Sequence, residues 1–560
     1  MTGTEHTIWA EPDTAGRAEN ERSGMPMTII EAAGKQAAES EKETAETKRM
    51  KEKFGFFGPA AFLYAVFYTI CMYKNGSGVT FPFFVAGSLL FLCLSLAKLE
   101  ITLKKGSAFY MAAMVLLGIS TFCTDDPRII FFNKLGIFLL MMSLLLKQYF
   151  NTLNWGPGKF LVSICRLVFG AAREAARPFR DAAEYREKRD GKTGHRIWAV
   201  GLGLLAGIPL LLVVLLLLSS ADAVFRQMTG SLLQGIAPGN IANLILHIGV
   251  MFLAAYCLVS YLCDKRIEET VTDKRTGEPV LAITVTGMLT ALYLIFSVVQ
   301  INGLFLGRMQ LPEGYTYAAY AREGFFQLLA VSLLNFVIVL VCLRYFKSSK
   351  ILKTILTVMS VCTFIMIASS AMRMVMYIRC FYLTFLRVLV LWALALLAVL
   401  FVGVLINIFK TDFPLFRYSV AVVTMMYLVL SFSHPDYLIA RVNVASAAGM
   451  EEGLESGTGY HDYWYLSGLC ADAAPVLVPY LESLGYDMEA WTAEETPVEY
   501  GERVNTGAAS QIQAGYPADT FGYVWMGKMQ GRTENFGVRT FNLSRYLMLQ
   551  RLKQAAAFSQ

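Results

Sequence analysis

The chain has 560 residues, of which 55% are hydrophobic and 16% are charged, and its mean hydropathy is +0.48. A soluble globular domain carries about 25% charged residues, so this composition excludes an ordinary soluble domain and predicts an integral membrane protein. The net charge of +6 is divided into −3 over residues 1–53, +16 over 54–432 and −7 over 433–560. This division is typical of a bilayer protein facing anionic headgroups, and it gives no argument for nucleic acid as a partner.

Residues 1–53 precede the first apolar run and are rich in Glu, Ala, Thr and Lys. A segment with so little to bury is predicted to be a disordered cytoplasmic leader. The first apolar run begins only near Phe54, so the start of the chain lacks the pattern of a secretory signal. That run is expected to act as an uncleaved signal-anchor.

Apolar runs long enough to cross a hydrocarbon core of about 30 Å follow one another as far as Phe432. Backbone groups in lipid must be satisfied internally, so these runs are predicted to be helices. The eleven predicted spans are 56–73, 79–98, 107–124, 129–149, 198–219, 241–263, 280–301, 324–345, 351–374, 387–409 and 414–432. The expected fold is an all-α integral membrane bundle of about eleven transmembrane helices, with a four-helix N-terminal membrane part (54–150) and a seven-helix membrane core (198–432).

Lysine and arginine are concentrated in alternate loops, which predicts a cytoplasmic N-terminus. An odd number of spans then places residues 433–560 on the outside. Arg373, Arg379 and Arg387 are the exception, because they cluster on the predicted outer side. A single miscounted span would move the C-terminal domain to the other side of the membrane.

The connection 151–197 is predicted to be basic, amphipathic and cytoplasmic. Phe160, Ile164, Leu167, Val168 and Ala171 recur at helical spacing. Arginines cover the other faces of this helix: Arg166, Arg173, Arg177 and Arg180. Such a helix is typical of the headgroup region beside a membrane, and a docking site for a cytoplasmic partner is the alternative.

Residues 433–560 are predicted to form a mostly helical, extracytoplasmic domain. A helical hairpin is expected over Tyr463–Leu484, with Asp472 as an N-cap and Pro475 in the first turn. A further helix is expected near Leu543–Ala556, and short strands are a possibility within 523–541. Cys470 is expected to be a buried thiol.

Polar residues at the predicted start of span eight, and in neighbouring spans, form the candidate ligand site. They are Tyr317, Tyr320, Arg322, Glu323, Gln327, Asn335, His247 and Arg373. Tyr320, Glu323 and Gln327 would share one helix face, and Asn335 could extend that stripe into the membrane. One interpretation is an outward-facing polar cavity in which Glu323 and Arg373 are charge partners, because ionisable groups at membrane depth usually face a bundle interior. The alternatives are an interfacial tyrosine belt with local ion pairs and a proton-coupled role for Glu323 or His247.

Five strings of the sequence together resemble a bacterial membrane protein family catalogued as domain of unknown function four-one-seven-three, which is close to four-one-five-three. They are YAAYAREGFFQL (Tyr317–Leu328), RMVMYIRCFYLTFLR (Arg373–Arg387), PDYLIARVN (Pro435–Asn443), YLSGLCADAAPVL (Tyr465–Leu477) and FNLSRY (Phe541–Tyr546). The resemblance implies a multi-pass protein of the bacterial cytoplasmic membrane with a C-terminal helical appendage. It implies no catalytic residues, because that family has no established activity.

The residues predict no cofactor, no metal site and no disulfide framework, since the cysteines are scattered and no nucleotide-binding or hydrolase motif is present. Three function classes remain. A non-enzymatic cell-envelope sensor or assembly component would bind another envelope protein through residues 433–560. A transporter or lipid-handling protein would use the polar cavity. A membrane-embedded enzyme would need clustered carboxylates or histidines on one side of the membrane, and the sequence offers few.

Overall fold

The computed structural model describes residues 44–152, 155–188, 214, 238–267, 275–302, 324–410, 412–451, 463–486, 521–533 and 537–558. Regular structure within these ranges is helical, apart from one isolated parallel bridge between Gly277 and Phe346. The predicted all-α class is confirmed. The predicted leader, except for its last ten residues, lies outside the described residues.

The described helices follow one another along the chain as far as Phe432. They are α1 (Ala45–Glu52), α2 (Phe54–Met72), α3 (Thr80–Lys98), α4 (Ser107–Cys123), α5 (Pro127–Tyr149), α6 (Pro157–Arg173), α7 (Arg177–Lys188), α8 (Pro238–Cys263), α9 (Pro279–Gln300), α10 (Phe325–Tyr345), α11 (Lys350–Phe381), α12 (Phe385–Phe409) and α13 (Leu415–Phe432). Proline at the first position of α5, α6 and α9 helps to fix where these helices begin.

Nine helices in the described part of the chain are long and apolar enough to cross a membrane, and α4 is a shorter apolar helix. Large apolar side chains are exposed on their outer faces; Met288, Leu292 and Ile295 of α9 are 73%, 60% and 67% exposed. Exposed apolar faces on helices of this length are typical of membrane-spanning helices covered by lipid. The protein is therefore a multi-pass membrane protein. The predicted span 198–219 lies outside the described residues, so the count of eleven stays a prediction.

The described helices form two bundles, and their grouping differs from their order along the chain. The first bundle contains α2, α3, α4 and α5, and α8 packs against α2. The second contains α9, α10, α11 and α12, with α11 packed against the other three. The domain boundaries at 150 and 198 stay a prediction. Helix α8, which follows both boundaries in the chain, nevertheless packs against α2, which precedes them.

Helix α13 joins the two bundles, since it packs against α12 on one side and against α4 and α5 on the other. Polar side chains fix the second contact. The amide oxygen of Asn133 accepts hydrogen bonds from Tyr427 (2.8 Å) and from Ser431 (2.7 Å). Buried polar contacts of this kind hold helices together in lipid, where hydrophobic association gives little driving force.

The C-terminal domain follows α13 directly. It contains α14 (Pro435–Glu451), α15 (Tyr463–Leu466), a 3₁₀ turn (Ala471–Ala473), α16 (Ala474–Ser483), α17 (Phe521–Thr533) and α18 (Leu543–Phe558). Its core includes the fully buried side chains of Phe521, Trp525, Leu477 and Leu552. The mostly helical domain and its last helix agree with the sequence-based expectation, and Cys470 is buried as predicted.

Two expectations for this domain were wrong. The residues within 523–533, where short strands were considered, belong to α17. Asp472 is not an N-cap, because the cap position of α16 is Ala473 and Asp472 lies inside the preceding 3₁₀ turn. Its carboxylate is turned instead toward the membrane bundle, where it accepts hydrogen bonds from residues far away in sequence. Pro475 does occupy the first turn of α16, as predicted.

The C-terminal domain lies at the end of the bundles opposite to α1. The α2–α3 loop hydrogen-bonds it through Val79 N and the carbonyl of Phe541 (2.7 Å), and Leu383 N, between α11 and α12, donates to Asn443 (2.8 Å). At the other end, Thr44 before α1 donates to the carbonyl of Cys263, the last residue of α8. The turn that carries Arg379 and Arg387 therefore lies on the side of the C-terminal domain.

Candidate functional site

The turn between α4 and α5 forms the floor of a buried charged site. Asp126 caps α5 by accepting from the amide of Arg128 (2.9 Å), and Pro127 supplies the first helical position. The neighbouring Asp125 is thereby held pointing away from α5 and toward the C-terminal domain. The side chains of Asp125 and Asp126 are both 0% exposed, so their charges depend on partners within the protein.

Two arginines of the C-terminal domain meet the carboxylate of Asp125. Arg545 donates through Nε to Oδ1 (2.6 Å), and Arg532 donates to Oδ2. Burial opposes the charge of Arg532, but Asp125 outweighs it and raises the pKa of Arg532. Arg545 also donates to the carbonyl of Arg532 (3.2 Å), so α17 and α18 are fixed to one another and to the α4–α5 turn.

Arg128 links Asp126 to Asp436 of α14. It forms a two-point contact with Asp126 (2.9 Å at both oxygens) and an ion pair with Asp436. Asp436 also accepts from the amide of Cys470 (2.9 Å). Burial and the charge of Asp126 raise the pKa of Asp436, and Arg128 partly offsets this increase.

Asp472 is the point at which three segments of the chain meet. It accepts from Thr124, from the amide of Asp125 (2.9 Å) and from Ser544. His434 lies 3.0 Å away through Nδ1. Burial would raise the pKa of Asp472, but the hydrogen bonds from His434, Ser544 and Thr124 outweigh it and hold the pKa below its usual value. The hydrogen bond with Asp472 raises the pKa of His434.

We call this set of residues the junction cluster. It consists of Asp125, Asp126, Arg128, His434, Asp436, Asp472, Arg532 and Arg545. Its carboxylates are each hydrogen-bonded to cationic or backbone donors, so the arrangement is suited to holding two parts of the protein together. Burial, with the charges of Asp472 and Asp436, raises the pKa of Cys470 well above its usual value, which makes this thiol a poor nucleophile. Within the described part of the chain, His, Cys, Asp and Glu side chains form no metal-binding group.

Of the eight site residues predicted from the sequence, four lie outside the described residues: Tyr317, Tyr320, Arg322 and Glu323. Gln327 is exposed, whereas Asn335 is fully buried, so their side chains occupy different faces of α10. His247 is exposed on α8 and contacts the carbonyl of Asn243 (2.7 Å).

Arg373 and Asn335 both lie inside the second bundle. Arg373 is buried and its guanidinium lies beside Gly324, the residue that follows Glu323. Asn335 donates to Thr363 of α11 (3.0 Å), and Ser369 of α11 donates to Gln300 of α9 (2.6 Å). A ligand-binding role for these residues stays a prediction.

Sequence reasoning did not select the junction cluster, although a signal for it was present. Three of the strings that carried the family resemblance contribute to it: PDYLIARVN supplies Asp436, YLSGLCADAAPVL supplies Asp472, and FNLSRY supplies Ser544 and Arg545. The consecutive aspartates at positions 125 and 126, between two apolar runs, were a further signal. Nothing in their local spacing indicates that these strings meet in space.

A family model described as domain of unknown function, DUF4153, matches residues 111–480. The chain belongs to this family. The matched region contains the α4–α5 turn, Asp436 and Asp472, whereas Arg532 and Arg545 lie beyond it. Membership of a family of unknown function agrees with the expected resemblance, while its assignment to number four-one-seven-three and a bacterial origin stay predictions. The comparisons with curated proteins and with solved structures gave no match.

Proposed function

We propose that this integral membrane protein is a non-enzymatic cell-envelope sensor or assembly component of the bacterial cytoplasmic membrane. In this proposal the N-terminus is cytoplasmic, and the C-terminal domain binds another envelope protein on the outer side. The observation that carries the proposal is the contact of Asp125 with both Arg532 and Arg545. A domain fixed to a membrane bundle through buried charges can pass a binding event to the helices, since the two move as a unit.

The number and burial of these contacts support a coupling role. The side chain of Asp125 is fully buried, while Arg532 and Arg545 are partly exposed, so breaking their pairs is expected to cost about 3 kcal/mol, the lower end of the range for buried pairs. The α2–α3 loop adds a close backbone contact: a Cβ at Gly78 would lie 2.3 Å from the carbonyl oxygen of Arg539, so glycine is required there. Asn75 donates to the same carbonyl (3.0 Å).

The test uses the intact chain, purified in a gentle membrane mimetic and examined by native mass spectrometry. Asp125→Asn should release the C-terminal domain, and Glu100→Gln, a change at the other end of the bundle, is the matched control. A stoichiometric protein partner that is retained with Glu100→Gln and lost with Asp125→Asn supports the proposal. A partner that binds Asp125→Asn equally well would contradict the coupling role of the junction cluster.

A transporter or lipid-handling protein is the second candidate, and a different observation favours it. The helices α9, α10 and α11 are joined inside the second bundle by the Gln300–Ser369 and Asn335–Thr363 contacts, with Arg373 buried on α11. Intramembrane polar groups of this kind often line a solute pathway. A stoichiometric lipid or small molecule that is lost with Glu323→Gln, and retained with Asp125→Asn, would favour this candidate over the first.

A further inference from the structure

Helix α6 has three distinct faces, and one of them is buried against other helices. Phe160, Ile164, Leu167 and Ala171 are buried, and α6 packs against α8 and α5. The second face exposes apolar side chains: Leu161 (62%), Val162 (50%), Val168 (39%) and Phe169 (67%). An amphipathic helix in a soluble protein would place polar residues at these positions.

The third face is a row of basic residues. Lys159, Arg166 and Arg173 are seven residues apart, which places them along one line of the helix with an axial spacing of about 10 Å. No acidic residue occurs between Pro157 and Arg173. At 100° per residue, this row lies between the buried face and the exposed apolar face, on the side of Val162.

Contacts with the spans fix the depth of α6. Phe160, near its start, packs against Phe416 at the beginning of α13, with ring centroids 4.7 Å apart. Just after its end, the carbonyl of Glu174 accepts from Cys257 Sγ (3.2 Å). Cys257 lies six residues before the end of α8, or about 9 Å along the helix axis. The helix therefore lies beside the first turn of α13 and the last turns of α8, which are both membrane-spanning helices.

We propose that α6 is an interfacial helix whose exposed apolar face enters the acyl boundary of one leaflet, and that the exposed Arg166 and Arg173 bind anionic phospholipid headgroups. Lys159, at the start of the row, is half-buried, and its ammonium lies 5.3 Å from the ring centroid of Trp155. At the depth of α6 the exposed apolar face is adjacent to the lipid-covered faces of the spans, and a row of cations beside it complements the charge of an anionic headgroup layer. This proposal is independent of the function proposed for the C-terminal domain.

The depth of α6 can be measured with a spin label at Cys165, which is the exposed member among the cysteines whose side chains the structure describes. Cys93, Cys123 and Cys380 are replaced by serine, and the full chain is placed in nanodiscs of phosphatidylglycerol and phosphatidylcholine. The label should be more accessible to oxygen than to a water-soluble nickel reagent. The opposite order would place the face in water and overturn the proposal in favour of a protein docking surface.

The headgroup preference is tested on the same nanodiscs by native mass spectrometry of retained lipids. Each basic residue near an anionic surface contributes about 1 kcal/mol, which corresponds to about 5-fold. Arg166→Gln with Arg173→Gln should therefore reduce the preference for phosphatidylglycerol by about 25-fold, whereas Arg551→Gln with Lys553→Gln on α18 should leave it unchanged. The pair Arg166→Lys and Arg173→Lys should retain it, which separates loss of charge from misfolding. An unchanged preference in the glutamine pair would overturn the proposal.

Discussion

The two ends of the first bundle are both fixed by ion pairs, but they differ in how completely the charges are buried. In the junction cluster, the side chains of Asp125, Asp126, Asp436 and Asp472 are at most 2% exposed. At the α1 end, the carboxylates of Asp264 and Glu174 are 10% and 12% exposed. The difference between the two ends therefore lies in the carboxylates. Their cationic partners do not follow it, because Arg177 is 11% exposed, whereas Arg532 and Arg545 of the junction cluster are 32% and 25% exposed.

At the α1 end the partners surround the single carboxylate of Asp264, and Arg266 is one of them (2.9 Å). Asp264 accepts from Arg177 (2.7 Å) and from Thr47 (2.9 Å). Burial would raise the pKa of Asp264, but Arg177 outweighs it and holds the pKa below its usual value. Since water can reach the carboxylate of Asp264 but not that of Asp125, a partner lost from Asp264 can be replaced more easily. The comparison predicts that equal changes in charge have unequal costs at the two ends.

The largest effect is expected for Asp125→Asn. This change leaves the partly exposed Arg532 and Arg545 facing an uncharged group, and it should lower the free energy of unfolding by about 3 kcal/mol, the lower end of the range for buried pairs. Denaturant titration in detergent micelles measures the loss, and limited proteolysis should show earlier cleavage within the C-terminal domain. A loss below about 1 kcal/mol would show that the junction cluster does not stabilise the docked domain.

A smaller loss is expected for Asp264→Asn at the α1 end. Arg177 loses its main partner but retains a contact with Glu174 at 3.8 Å, so we expect a loss of about 2 kcal/mol. The same denaturant titration provides the value. If Asp264→Asn proved as costly as Asp125→Asn, burial would not be the factor that distinguishes the two ends.

The His434–Asp472 pair should make docking of the C-terminal domain dependent on pH. The pKa of His434 is raised in the folded protein, so its stabilising contribution is complete below its usual value of about 6.5 and is lost as the pH rises through the raised folded pKa. Proteolysis of the C-terminal domain should therefore become faster across that interval. His434→Gln should remove this dependence, and a wild-type rate that stayed constant with pH would contradict the assignment.

The smallest effect is expected for Glu100→Gln. Glu100 pairs with Arg49 (3.1 Å) and Lys53 (3.3 Å), but its side chain is 59% exposed. Exposed pairs contribute about 0.5 kcal/mol each at most sites, so the free energy of unfolding should change by no more than about 1 kcal/mol. The remaining change should disappear at high salt, and a loss that persisted there would point to a structural role for Glu100.

Local pattern was sufficient to predict most helices. Ten of the predicted spans coincide with described helices, because a run of apolar residues in lipid has no alternative to internal backbone hydrogen bonding. The helical spacing also predicted one apolar face of α6, and four of its five residues, Phe160, Ile164, Leu167 and Ala171, are buried. The fifth, Val168, is 39% exposed. The spacing did not indicate that this face would contact protein, because periodicity identifies the residues that share a face but not whether protein, lipid or water covers that face.

The candidate site was much less predictable. Asp472 has the sequence context of an N-cap, yet its carboxylate binds Thr124, which is 348 residues away in the chain. Asp125 and Arg545 are separated by 420 residues. Charged residues in loops are usually solvated, and sequence alone gives no measure of which of them the fold will bury.

The sequence by itself therefore determined the membrane class, the positions of most apolar helices and the amphipathic character of α6, since these depend on interactions between near neighbours. Tertiary structure decided that α8 packs against α2, that α13 joins two bundles, and that four aspartates and three arginines converge beneath the C-terminal domain. Those arrangements depend on contacts between distant segments. Their physical reason is that a buried charge requires a partner, and only the folded chain determines which partner is within reach.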